Sequence, residues 1–76
     1  MPHLTPIDKA SFHKFLIFIG CKLARTKGDH RIYWRDDLKR PVVITEDKTV
    51  PVFIIKNNLR TLGISAEEYV EILKNI

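Results

Sequence analysis

A glycine-led turn, Gly28-Asp29-His30, delivers a histidine to the start of the segment Ile32-Tyr33-Trp34. Basic residues flank it on both sides, Arg25 and Lys27 before and Arg31 and Arg35 after. Histidine is the one side chain whose unperturbed titration lets it both take and give a proton near neutrality. Arginine grips phosphate oxygens as a two-pronged fork, and lysine as a point charge. A proton-transferring group among cations is what cleavage of a phosphodiester requires. RNA can be cut without metal, because its own 2′-hydroxyl attacks the adjacent phosphorus. The protein must then move protons, which is typically worth about 10²–10⁴-fold for one positioned group. It must also stabilise charge on the phosphorane. His30 suits the first task, and Arg25, Lys27 or Arg31 the second.

Asp29 admits two roles. A carboxylate close to an imidazole favours the charged ring, which suits a general acid. Neighbouring strand residues point to opposite faces, however, and on that geometry Asp29 simply makes the turn. The remaining carboxylates are scattered, and no His/Asp/Glu cluster has ligand spacing, so neither a metal nor a cofactor is expected.

The elements that must position these residues follow from the pattern. Residues 1–7 read as an extended lead-in punctuated by Pro2 and Pro6. Asp8 is placed to cap a helix over about 9–19. Phe12, Phe15, Leu16 and Ile19 make that helix's buried stripe, and Gly20 ends it. A rough strand runs from Cys21 to Lys27, the clearest strand from His30 to Arg35, and a third from Pro41 to Thr45. Joined by short turns, the three predict an antiparallel meander. A second helix spans about 51–62, with Ile55, Leu59 and Leu62 inward and Gly63 after its end. Ser65 and Glu68 form a capping box for a third helix over about 66–75, anchored by Tyr69, Ile72 and Leu73.

Alternation along the middle strand puts His30, Ile32 and Trp34 on one face and Arg31, Tyr33 and Arg35 on the other. In so small a chain the single tryptophan is expected in the core beside Ile32. Tyr33, between two arginines, is then the aromatic expected to stack on a base. The expected RNA contacts are Arg25, Lys27, Gly28, Arg31, Tyr33 and Arg35. His13 is expected on a helix surface and His3 on a mobile terminus, neither with a supporting constellation. Cys21 reads as a small buried hydrophobe.

Bulk properties agree. With 76 residues, 45% hydrophobic and 29% charged, the chain reads as one globular α+β domain of order α-β-β-β-α-α. The net charge of +4 sits between residues 22 and 40, whereas the stretch 65–76 is acidic through Glu67, Glu68 and Glu71. A basic centre points to a polyanionic partner, with nucleic acid first. The single cysteine fits a reducing compartment, and neither a signal peptide nor a membrane span is evident. The expected location is the cytoplasm, with no membrane partner.

This order, with Gly-x-His between the first two strands, resembles the HicA toxin family, small mRNA interferases of type II toxin–antitoxin pairs. The residues that carry the resemblance are Phe15 to Cys21, Arg25 to Tyr33, and Leu59-Arg60-Thr61-Leu62-Gly63-Ile64-Ser65. It covers about residues 8–76 and makes 1–76 a single HicA-like domain. The resemblance implies a core like that of double-stranded-RNA-binding domains. It further implies metal-independent mRNA cleavage by one histidine, here His30, and neutralisation by a HicB-like antitoxin that covers it. Two positions depart from the family pattern. Asp29 stands where Gly-Ser-His is common, and the segment Thr45 to Pro51 lacks the histidine that many members carry after the third strand.

Two other classes compete with a ribonuclease. A non-catalytic RNA-binding module would use the same basic meander without turnover. A DNA- or protein-binding domain would use the helix–Gly-Ile-Ser–helix stretch 52–75, which resembles a helix-turn-helix in outline. Its second helix is acidic, which phosphate would repel.

Overall fold

The computed structural model describes residues 3–76; Met1 and Pro2, the start of the expected lead-in, lie outside the described residues. Eight elements follow in order: β1 (Ile7–Asp8), α1 (Lys9–Phe18), β2 (Lys22–Lys27), β3 (His30–Trp34), β4 (Val42–Thr45), β5 (Thr49–Val50), α2 (Val52–Leu62) and α3 (Ala66–Lys74). The strands β2, β3 and β4 form the expected antiparallel meander, with β3 in the middle. The α+β class and the strand and helix order of the expectation hold, and the architecture is compatible with a double-stranded-RNA-binding-like core.

Helix α1 begins where expected, because Asp8 accepts hydrogen bonds from the backbone N–H and the hydroxyl of Ser11. Those bonds hold the Asp8 carboxyl below its ordinary range. Gly20, at φ +95°, turns the chain out of the helix, and Cys21 N–H closes the end on Leu16 O. Pro51 starts α2, Gly63 at φ +71° ends it, and Ser65 Oγ caps α3 by accepting from Glu68 N–H. Phe12, Phe15 and Leu16 of α1, Ile55, Leu59 and Leu62 of α2 and Tyr69 of α3 meet Tyr33, Val42 and Ile44 of the sheet in one core. All helices therefore serve one face of the sheet. Cys21 is buried in the same core, and burial pushes its thiol pKa up.

Two features went unread in the sequence. Residues 7–8 and 49–50 pair as a second, two-stranded ladder, so the segment before α1 and the segment before α2 close on each other. Asn58 is buried and donates its side-chain amide to Val43 O on the free edge of β4, 3.4 Å away. A strand edge carries unpaired backbone groups, and this contact satisfies one of them.

Candidate nucleic-acid interface and cleavage site

The turn that carries His30 is a two-residue hairpin loop, since Lys27 and His30 pair directly across it. Gly28 takes φ +59°, and no other residue type among those described has positive φ, so Asp29 keeps a negative value. Glycine first and an ordinary residue second is the order that a type II′ loop wants, and such loops match the strand twist. The loop is pinned from the other side by Glu46 N–H, which donates to Asp29 O at 2.7 Å. A Cβ on Gly28 would meet nothing within 4 Å, so the backbone there stands open to solvent.

Asp29 does more than turn the chain. Its Oδ1 lies 3.0 Å from Nδ1 of His30, whose side chain keeps 52% of its surface exposed. A carboxylate on Nδ1 fixes that nitrogen as the proton-bearing one and leaves Nε2 for a ligand. Strand alternation does not separate the two side chains, because Asp29 belongs to the loop and not to a strand. Across β4, Thr45 sits opposite His30 and gives its hydroxyl to Asp47, 2.9 Å away.

Cross-strand partners share a face, so the pairing defines what surrounds His30. Trp34 pairs with Lys22, Ile32 with Arg25, and His30 with Lys27. The three cations do not alternate regularly in sequence. A register irregularity between Leu23 and Arg25 changes the parity of β2 and brings Lys22, Arg25 and Lys27 onto one side. With Val43 and Thr45 of β4, these residues make the sheet face that the helices leave uncovered. Its strand positions carry three cations and no acid.

Three of the expected RNA contacts, Tyr33, Arg31 and Arg35, take other places. Tyr33 is fully buried, whereas Trp34 is 40% exposed, which reverses the expected burial of the two aromatics. The faces were divided correctly and assigned to the wrong sides. Tyr33 stands opposite Val42 on the helix side, and its hydroxyl meets Nδ1 of His13 at 2.7 Å, so His13 is not a bare surface residue. Stacking by Tyr33 is therefore corrected to a core role. Arg35 is held in a two-pronged pair by Asp37 and donates to Ile19 O, which ties the end of β3 to the end of α1. Arg31 lies on the helix side and is paired with Glu46. Gly28 shapes the loop and leaves its backbone open. Lys27 pairs with His30, and Arg25 with Ile32 on the same face.

Glu46 is the residue that sequence reasoning missed. Its carboxylate bridges Lys9 of α1, at 3.1 Å, and Arg31 of β3. Lys9 first and Arg31 second hold its pKa below the ordinary glutamate range. An acid 15 residues from its partner carries no local spacing signal. An open groove of about 810 Å³ lies elsewhere, between residues 37–40 and α2, with Lys39, Arg40 and Arg60 on its wall and no histidine. His30 instead stands on the open sheet, where an extended polyanion has access. Among the described residues no three His, Cys, Asp or Glu gather into a group able to hold a metal ion. No helix of the described residues is long and apolar enough to cross a membrane.

The family model described as HicA toxin of bacterial toxin-antitoxin matches residues 11–64. That span includes all but the first two residues of α1, the whole meander, the Gly28-Asp29-His30 loop and α2. No curated protein and no solved structure matches the chain.

Proposed function

The chain belongs to the HicA toxin family and is thus the toxin of a toxin–antitoxin system; from that premise we propose that it is a metal-independent endoribonuclease that cuts mRNA with His30. The observation that carries this reading is His30 itself, exposed on a cationic sheet face with Nδ1 engaged by Asp29. With Nδ1–H held by Asp29, the doubly protonated ring gives its Nε2 proton to the departing 5′-oxygen and regains one from solvent. Meanwhile the 2′-oxygen of the RNA bonds to phosphorus, the P–O5′ bond breaks and the 2′-hydroxyl proton passes to solvent. Lys27, directly opposite His30, and Arg25 beside it neutralise charge that builds on the phosphorane oxygens. Asp29 is a positioning residue, since it acts through the imidazole.

The partner of this surface in the resting state is a HicB-like antitoxin that covers His30 and presents acidic groups to the cations. Complementary charge of that kind makes association salt-sensitive. The place of action is the cytoplasm, where mRNA is translated.

The test is His30→Ala. Cleavage of RNA and growth inhibition fall by about 10²–10⁴-fold, the usual worth of a positioned acid–base group. RNA binding stays within a few-fold. Cleavage that survives the substitution overturns the histidine mechanism, and a wild type that binds but never cuts RNA establishes a non-catalytic binding module instead.

A further inference from the structure

We infer that Trp34 is a stacking platform for one unpaired base of the substrate, so that the RNA cut at His30 is single-stranded where it crosses the sheet. This rests on the ribonuclease reading above. Three observations lead to it. Trp34, the last residue of β3 and the bulkiest side chain of the protein, is 40% exposed. It lies on the same face as His30, four residues along β3. Lys22 is its direct cross-strand partner, with Arg25 and Lys27 continuing the line of cations toward His30.

An exposed aromatic in a row of cations is the arrangement used to bind single strands. Cations follow the backbone, and the ring takes a base face. A duplex offers no such contact, because its base faces are already stacked on one another and its edges lie in the grooves. At about 3.3 Å per residue, Trp34 stands roughly 13 Å from His30 along the strand. The base on Trp34 therefore belongs to a neighbouring nucleotide, not to the one that bears the attacking hydroxyl. Stacking accepts any base with a π face, so Trp34 holds the strand in register without choosing its sequence.

The chain contains one tryptophan, which makes its own fluorescence the probe. The His30→Ala protein is titrated with a short single-stranded RNA and with the same sequence annealed to its complement, and binding is followed in parallel through a label on the RNA. Saturable quenching by the single strand, with none at bound duplex, is the expected result. Trp34→Ala should weaken single-strand binding by roughly 5- to 150-fold, the equivalent of one base–aromatic stack. In the cleaving protein the same change should raise KM more than it lowers kcat, while Trp34→Phe keeps most of the affinity. Circular dichroism confirms that the variants are folded. Equal quenching by duplex, or single-strand affinity unmoved in Trp34→Ala, overturns the proposal. So does an emission change caused by the antitoxin alone and never by RNA, which makes the face a protein-docking surface only. Cleavage by the wild type and its loss in His30→Ala are read separately, so the histidine mechanism and the stacking platform stand or fall independently.

Discussion

The hydroxyl of Tyr33 lies 2.7 Å from Nδ1 of His13, with the two rings 5.6 Å apart. This contact joins the middle of the sheet to α1 and decides which side of β3 is buried. A tyrosine enters a core readily when its hydroxyl finds a partner, and His13 is that partner. With Tyr33 turned inward, His30, Ile32 and Trp34 must face outward.

Tyr33 and Trp34 should consequently separate stability from binding. Tyr33→Phe removes one half-buried hydrogen bond and costs about 1 kcal/mol. Tyr33→Ala leaves a cavity and costs about 3–5 kcal/mol. Trp34→Ala, on the open face, changes stability by no more than about 0.5 kcal/mol. Urea unfolding of the three variants measures this, and a Trp34→Ala cost equal to that of Tyr33→Ala would show the faces to be reversed.

Removing the carboxylate on His30 should slow cleavage without abolishing it. Asp29→Ala frees the imidazole to rotate and gives a rate between those of the wild type and His30→Ala. Asp29→Asn keeps an oxygen that can accept from Nδ1–H and retains more activity than alanine. Single-turnover cleavage rates rank the four proteins, and an Asp29→Ala rate equal to wild type removes Asp29 from the mechanism.

The arginines should sort by what already holds them. Binding to a single strand loses a salt-dependence slope of about 0.7 for each phosphate contact removed. Arg25→Ala and Lys27→Ala should each reduce the slope by about that much. Arg35→Ala should leave the slope nearly unchanged and lower the melting temperature, because Arg35 is engaged by Asp37 and Ile19. A slope change for Arg35→Ala as large as that for Lys27→Ala contradicts this division.

The Glu46 bridge predicts the acid limb of stability. Its pKa is depressed in the folded chain by Lys9 and then Arg31. A depressed carboxylate pKa stabilises the fold fully above the unfolded value, and the contribution is lost as pH falls through the folded value. The wild type should therefore melt higher than Glu46→Gln near neutrality, with the gap closing below about pH 4.5. Thermal melts across that range check it, and a gap that widens on acidification has the wrong sign.

Tyr69 offers a stabilising change. Its hydroxyl is buried with no hydrogen-bond partner among the described residues, and burial pushes its pKa up to about 12. Its ring packs edge-on against Phe15 at 4.9 Å, a contact that phenylalanine keeps. Leaving a buried donor unsatisfied costs about 1–3 kcal/mol, so Tyr69→Phe should be neutral or raise stability by about 1 kcal/mol. Loss of stability on that change would reveal a partner for the hydroxyl.

Much of this was legible in one dimension because its causes are local. Asp8, Gly20, Gly63 and Ser65 mark helix ends through bonds and torsions that span at most a few residues. The hairpin and its histidine were likewise readable, since Gly28 and the pairing of Lys27 with His30 depend on a two-residue loop. The β1–β5 ladder and the Glu46 bridge were not, since their partners are far apart in the chain and meet only after the core has formed.

The element order, the helix caps, the glycine-led turn and the division of β3 into two faces all follow from short-range geometry and can be read in one dimension. Which face is open cannot. Each face of β3 offers an aromatic and a basic residue, so periodicity alone weighs them equally. The packing of α1 and α2 over Val42 and Ile44, with His13 meeting Tyr33, broke that tie. The irregularity in β2 then aligned Lys22, Arg25 and Lys27 on the face of His30, a grouping that cannot be read from β2 alone because it depends on where two strands fall out of step.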